Sequence, residues 1–331
     1  MKPDGSHFVE TFDPEASHPL SRREFLAASA LLVVAGTAPG CKSQEAAADH
    51  QVIDIHQHVG YSGRPDKVLL AHQRAMGVAK TILLPAGRPA STAATHFGIS
   101  NGLQAKCLGN ADCYRLAGAN PKKFLFGANE VPDIAEAVSE IEKYLKLGAV
   151  ILAEQKFGVE CDAPEMQRLY RLAADYHVPI LMHWQHKMYN YGFERFDKML
   201  EKHPQTIFIG HAQTWWANID KNHTNQAMLY PKGKVTPGGF TDRYLSDYPN
   251  MYGDLSAGSG LNALTRDEDF TREFMRRHQD KLMFGSDCND WVGKGTACQG
   301  AQTIAAVRHL APSKEIERKL LCGNAQKMFK I

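Results

Sequence analysis

Val52-Ile53-Asp54-Ile55-His56-Gln57-His58 decides how the rest of the chain is read. The apolar, β-branched start has the character of a buried strand, and the imidazoles of His56 and His58, two residues apart, share one face of it. Outward from this stretch, short apolar runs alternate with helical patterns. Strands are expected at 52–58, 81–84, 124–128, 149–154, 179–183, 206–211, 251–255 and 282–287. After the third of these, Ile134, Ala137, Val138, Ile141, Tyr144 and Leu145 recur at the spacing of one helix face, and Met166, Leu169, Tyr170, Leu172 and Ala173 do so after the fourth. Strands alternating with helices imply parallel crossover units. Eight such units in about 280 residues predict an α/β fold of the (β/α)8 TIM-barrel type. A doubly wound open sheet is the alternative, but no Gly-rich phosphate fingerprint follows the first strand.

Composition narrows the function classes. Of 331 residues, 44% are hydrophobic and 22% charged, which fits a globular chain and excludes a wholly disordered or collagenous one. Thirty-eight Lys+Arg against 36 Asp+Glu give a net charge of +2, with no basic run, so nucleic acid is not an expected partner. No feature specifies an oligomeric state.

The first forty residues read as an address. Ser21-Arg22-Arg23-Glu24-Phe25-Leu26 precedes an apolar run ending at Val34. An Arg pair before a short apolar segment resembles a twin-arginine export signal, and a run this short falls well below the ~20 apolar residues of a permanent span. Ala38-Pro39-Gly40-Cys41 resembles a lipoprotein box, although Ala38 and Pro39 depart from its usual pattern. The expectation is a leader at 1–40, with Cys41 as a lipidation site, a small polar linker at 41–49 and a barrel domain at 50–331. The expected partners are the twin-arginine export machinery and, through the Cys41 lipid, a membrane surface; the expected location is the periplasm. An exported chain can form disulfides, and Cys107 and Cys113 are close enough in sequence for a local bridge.

Barrel active sites form at the carboxyl ends of the strands. Here the first strand ends in His56-Gln57-His58, the fifth in Met182-His183, the sixth in Gly210-His211 and the eighth in Gly285-Ser286-Asp287. Imidazoles and a carboxylate without thiolate suit a divalent metal of borderline softness, Zn²⁺ first, with Mn²⁺ and Fe²⁺ as further options.

These residues, in this strand order, resemble the amidohydrolase superfamily. The nearest branch is that of the amidohydrolase-related metal-dependent hydrolases, which includes decarboxylases of the aminocarboxymuconate-semialdehyde type. Met251-Tyr252-Gly253-Asp254-Leu255-Ser256 and the closing Leu321-Cys322-Gly323-Asn324-Ala325 resemble the same branch. The resemblance implies that His56, His58, His183 and Asp287 hold the metal, with His211 as an electrophilic helper or the ligand of a second ion. The fourth strand departs from the mononuclear pattern. It reads Ala153-Glu154-Gln155-Lys156, so Glu154 could bridge two ions or pair with Lys156, and Lys156 could bind substrate.

Such a site implies an enzyme for a small organic substrate. A bound divalent ion would polarise a carbonyl and acidify water, Asp287 would shuttle the proton, and hydrolysis of an amide, ester or lactone would follow. Decarboxylation is the alternative chemistry, and a non-catalytic binding lipoprotein is the alternative from another class. Trp184, His186, Tyr189, Gln213, Trp215 and Trp216 are placed near the mouth, with Trp184, His186 and Trp215 as expected substrate contacts. The long stretch from Thr214 to Tyr248 is expected as a loop insertion after strand six forming a pocket wall. Cys288, next to Asp287, reads as structural and directed away from the site.

Overall fold

The computed structural model describes residues 51–87 and 107–331. The Arg22–Arg23 pair, Cys41 and the linker 41–49 lie outside the described residues. Among the described residues, no helix is long and apolar enough to cross a membrane.

Eight strands follow in order: β1 Val52–Gln57, β2 Val78–Leu83, β3 Phe124–Phe126, β4 Leu152–Gln155, β5 Ile180–His183, β6 Phe208–His211, β7 Met251–Asp254 and β8 Leu282–Met283. Every pairing is parallel, with β1-β2-β3 in one ribbon and β4 to β8 in another. The ribbons join into one closed barrel. Ala128 bridges Leu152 between β3 and β4, and Ile55 N–H donates to Phe284 O at 3.1 Å between β1 and β8. Closure leaves no sheet edge, as expected of a (β/α)8 barrel.

Amphipathic helices cover the outside. Ala137–Lys146 buries Ile141, Tyr144 and Leu145, while Ile134 lies just ahead of its first turn. Pro164–Asp175 starts on a proline, whose fixed φ suits the first helical position, and buries Met166, Leu169, Tyr170, Leu172 and Ala173. The stretch 214–248 is more regular than expected. It falls within a helix Gln213–Ala217 at one end and carries a helix Phe240–Asp247 at the other, so the irregular part shrinks to 218–239.

Inside the strands, Ile53, Ile55, Ile82, Leu84, Ile151, Ala153, Leu181, Ile209 and Met283 form one apolar cluster with Cys322, Ala325 and Phe329 of the C-terminal segment. This layer fills the lower barrel and sets the face on which the site must stand. His183, His211 and Asp287 follow Leu181, Ile209 and Met283 at even spacing, so they inherit that face. His56 and Glu154 follow Ile55 and Ala153 at odd spacing and by simple alternation would point outward. A bulge corrects each. Three residue steps on β1 from Asp54 to Gln57 oppose two on β2, and three on β4 from Leu152 to Gln155 oppose two on β5. One extra residue reverses the alternation, turning His56 and Glu154 toward the interior.

Candidate metal centre

The six residues named from the sequence meet above this apolar layer. His56, His58, Glu154, His183 and His211 are buried, and only the Asp287 side chain keeps 11% exposure. His56 Nε2 and His58 Nε2 lie 3.2 Å apart. Glu154 Oε2 is 3.3 Å from His58 Nε2 and 3.7 Å from His56 Nε2. Asp287 Oδ1 is 3.5 Å and 3.8 Å from the same two nitrogens. Donors bound at 2.0–2.2 Å around a tetrahedral ion stand about 3.3–3.4 Å from one another, so these four sit close to a ligand shell. The other two carboxylate oxygens face His211: Glu154 Oε1 and Asp287 Oδ2 each lie 3.7 Å from His211 Nε2. Each carboxylate thus offers one oxygen to the His56–His58 pair and one to His211.

The outer hydrogen bonds fix the tautomers. His58 Nδ1 stands 2.7 Å from Leu84 O, a carbonyl that only accepts. His56 Nδ1 stands 2.7 Å from Asp254 Oδ2. The Ser256 hydroxyl donates to Asp254 Oδ2 at 2.7 Å, so at 2.9 Å from His211 Nδ1 it must accept. All three rings therefore carry a proton on Nδ1 and turn Nε2 inward, the orientation in which ligand histidines bind an ion once Nε2 is free of its proton. It favours His211 as a ligand or acceptor over a donor to an oxyanion. His211 Nε2 and Asp287 Oδ1 are buried without a hydrogen-bond partner, a costly state for polar atoms that a cation between them would relieve. The donor set fits a divalent ion on that observation.

His183 stands differently. Its Nδ1 contacts Glu154 Oε1 at 2.5 Å and its Nε2 faces Gln185 Oε1 at 3.2 Å. The first distance is a direct hydrogen bond, shorter than the ~3.3 Å between two donors of one ion. His183 holds Glu154 in this arrangement, and Glu154, His183 and His211 also form a group whose ligand atoms lie within 4.8 Å of one another.

Charge in the site is strongly mixed. Burial opposes protonation of His56, yet Asp287, Asp254 and Glu154 push it up to about 10. Burial likewise opposes the charge on Glu154, and Lys156 with the surrounding imidazoles holds it well below the ordinary carboxylate range. Asp287 is kept ionised against its burial by His56 and His58. Burial and the neighbouring His56 lower His211 to about 3, so it stays neutral. Burial opposes the Lys156 ammonium, but Glu154 and Asp287 raise it, and its Nζ lies 5.7 Å from the Tyr189 ring centre.

The backbone is strained around these groups. Just past β6 and β7, Ala212 and Ala257 have φ of 82° and 61°, and beyond β8 Asp287 itself has φ of 40°, values uncommon for side-chain-bearing residues. Gly285 is required by close approach, since a Cβ there would lie 2.4 Å from Asp254 Oδ1 and 2.8 Å from His56 Cβ.

A cleft of about 790 Å³ opens beside the site. Gln185, His186, Asn190, Thr214, Arg195 and Phe240 are among its walls, and Gln185 connects it to His183. His186 lines this cleft. Trp184 and Trp215 do not. Both are fully buried, Trp184 against Phe193 and Phe196, and Trp215 on Gly210, where a Cβ would fall 2.4 Å from its ring. Their surfaces are taken up by packing, which corrects the expectation of substrate contact. Cys107 and Cys113 are buried thiols and do not form a bridge.

Several site residues were missed from the sequence. Asp254 was legible, because it ends β7 just as His183 and His211 end theirs. Ser256 could be found only through it. Cys107 hydrogen-bonds His58, and the Tyr61 ring meets the His58 ring edge-on at 5.1 Å. Neither occupies a strand end, so no spacing announces them.

Comparison with curated proteins gives no match. Among solved structures, the chain is similar to a probable 2-pyrone-4,6-dicarboxylic acid hydrolase from Acinetobacter baumannii crystallised with citric acid (13% identity, 85% of this chain and 100% of that chain, TM-score 0.56). It is also similar to 2,6-dihydroxybenzoate decarboxylase from Rhizobium (14%, 85% and 99%, TM-score 0.52). A third is a dihydroxybenzoic acid decarboxylase from Polaromonas with bound manganese and 2-nitroresorcinol (14%, 85% and 97%, TM-score 0.51). At such identities these likenesses carry the barrel fold and no more. The family model of the amidohydrolases matches residues 53–331, nearly the whole described barrel. The chain belongs to the amidohydrolase family.

Proposed function

We propose that the protein is a metal-dependent hydrolase of a small, carboxylate-bearing amide, ester or lactone. The observation that carries this reading is the convergence of three inward Nε2 atoms with an ionised Asp287 whose buried Oδ1 has no hydrogen-bond partner. His56, His58, Glu154 and Asp287 would hold the first ion, and His211, sharing Glu154 and Asp287, would stand ready for a second. Zn²⁺ suits nitrogen and oxygen donors, and Mn²⁺ and Fe²⁺ suit them too. Such an ion supplies Lewis acidity and water of lowered pKa.

The protein's own groups do the rest. Asp287, deprotonated beside the reacting water, accepts its proton and returns it to the leaving group. Asp254 keeps the His56 ring oriented, directly and with Ser256. Lys156, cationic and half-buried below Tyr189, pairs with the substrate carboxylate. The cleft at Gln185 and His186 receives the remainder of the molecule. Incubating the metal-loaded protein with a panel of carboxylated lactones, esters and amides should reveal turnover that stops in Asp287→Asn; activity undiminished in that variant would refute the assignment.

A carboxy-lyase is the second reading, and Lys156 supports it equally, because a carboxylate must be held before it can leave. Two of the similar structures are named as decarboxylases of dihydroxylated benzoic acids. Release of CO₂ from hydroxylated benzoates or unsaturated acids, with no turnover of lactones, would decide for it.

Export through the twin-arginine route, with Cys41 as lipid anchor in the periplasm, rests on the order of residues in the leader. Replacing Arg22 and Arg23 with Lys should leave the protein inside the cell, and Cys41→Ser should release it from membranes. Unchanged fractionation would contradict each.

A further inference from the structure

Behind Asp287, on the far side of the strand end, four potential donors converge from three segments. His72 comes from the helix Asp66–Ala75, Cys288 and Asp290 from the loop after β8, and Cys298 from the N-cap of the helix Gln299–Leu310. Their donor atoms all lie within 4.8 Å of one another. Cys288 Sγ and Cys298 Sγ are 3.6 Å apart. Cys298 Sγ and His72 Nε2 are 3.6 Å apart, and His72 Nε2 and Asp290 Oδ1 3.1 Å. Around a tetrahedral Zn²⁺ with ordinary bond lengths, the sulfur–sulfur, sulfur–nitrogen and nitrogen–oxygen separations are about 3.8, 3.5 and 3.4 Å. All three observed distances match within a few tenths of an ångström.

Backbone N–H groups are aimed at both sulfurs. Cys298 Sγ accepts the Ala301 N–H at 3.3 Å at the helix N-terminus, where the macrodipole favours negative charge. The backbone N–H groups of Gly300 and Asp290 reach the Cys288 sulfur. Gly300 permits this close packing, since a Cβ there would lie 2.8 Å from Ser286 Cβ. The Arg64 guanidinium is buried alongside, donating to Asp290 O at 2.8 Å. Two thiolates, a carboxylate, this guanidinium and one divalent ion sum to neutrality.

We propose that His72, Cys288, Asp290 and Cys298 form a second, structural Zn²⁺ site, separate from the catalytic centre. With four protein donors it is closed and has no position for substrate. Its role follows from its place. Cys288 is the residue after Asp287, so an ion there pins the chain that holds Asp287 at its unfavourable φ and ties it to two helices.

The purified full chain, never exposed to chelators or reductants, provides the test. Zinc-edge X-ray absorption should show sulfur neighbours near 2.3 Å. Cobalt exchanged into the protein should give a near-ultraviolet thiolate-to-metal charge-transfer band, which an all nitrogen-and-oxygen centre cannot produce. Cys298→Ser should lose one metal equivalent and the band, and so should His72→Gln, a second variant in case the first does not fold. Cys107→Ser, which alters the thiol beside His58 and not the proposed sulfur site, should keep the band. A zinc shell of nitrogen and oxygen alone, a band that survives in Cys298→Ser, a band that disappears in Cys107→Ser, or a Cys288–Cys298 disulfide found by mass spectrometry would overturn the proposal. None of these results depends on which reaction the enzyme performs.

Discussion

The nitrogen-and-oxygen cluster at the strand ends and the sulfur-containing cluster behind it share the segment Asp287-Cys288, yet they are built by different routes. The first draws each side chain from the end of a barrel strand, on one face, above one apolar layer. The second draws its side chains from a helix's last turn, an irregular loop and a helix cap. In the first, buried atoms without partners and partly exposed Asp287 mark a centre left open for chemistry. In the second, four protein donors complete a shell. On the assignments proposed above, an open shell beside a closed one would separate catalysis from support, with adjacent residues dividing the two tasks.

The strongest way to break this comparison is Asp287→Asn. Loss of the proton acceptor should reduce turnover by about 10³-fold or more, while the circular dichroism spectrum and the thiolate-to-cobalt band stay unchanged. Loss of the band as well would mean that the two clusters are one unit. Next comes Asp254→Asn, which removes the acceptor of His56 Nδ1. Metal affinity at the strand-end centre should fall about 10–100-fold, measured by competition with a chromogenic chelator. Unaltered affinity would remove Asp254 from the account. In the parent protein, protons compete with the ion for the same lone pairs, so affinity should also fall as pH is lowered.

A third cluster of similar composition serves as a control. Asp242 accepts from Arg277 and stands 2.7 Å from His278 Nε2, on the outside of the barrel, with every partner supplied by protein. Burial opposes its charge, but His278 and Arg277 lower it from 3.8 to about 2. A carboxyl more acidic in the folded state stabilises the fold above its unfolded pKa and loses that contribution as pH falls through its folded one. Asp242→Asn should therefore cost about 2 kcal/mol near neutral pH, less below about pH 4, and nothing in metal content. Equal denaturation midpoints at neutral pH would contradict this. The smallest effect is expected at Lys156→Met, with KM for a carboxylated substrate raised about tenfold and kcat changed less. An effect confined to kcat would place Lys156 in the chemistry instead.

The barrel and the strand-end cluster were largely legible because both follow periodic rules. Strand, helix and strand alternate visibly, and a residue that ends an apolar strand is in place to face the mouth. The bulges in β1 and β4 escaped notice, since one extra residue leaves no mark in a hydropathy pattern, and without them His56 and Glu154 would face outward. Trp184 and Trp215 misled because proximity to a strand end does not tell a pocket wall from core packing. Cys288 was read correctly as turned away from the site, but nothing in the spacing of His72, Asp290 and Cys298 reveals that they meet it. The thiol cluster also changes how metal stoichiometry is interpreted. Two equivalents per chain would not by themselves show that Glu154 bridges two ions, because the proposed sulfur site would hold one of them.

The central claim is that the strand-end cluster holds a divalent ion. Anomalous diffraction from crystals grown with saturating zinc tests it most directly, because it locates each ion among named side chains. The account predicts a peak bounded by His56 Nε2, His58 Nε2, Glu154 and Asp287, distinct from the peak between Cys288 and Cys298. Density at the thiolates with none at the strand ends would contradict it.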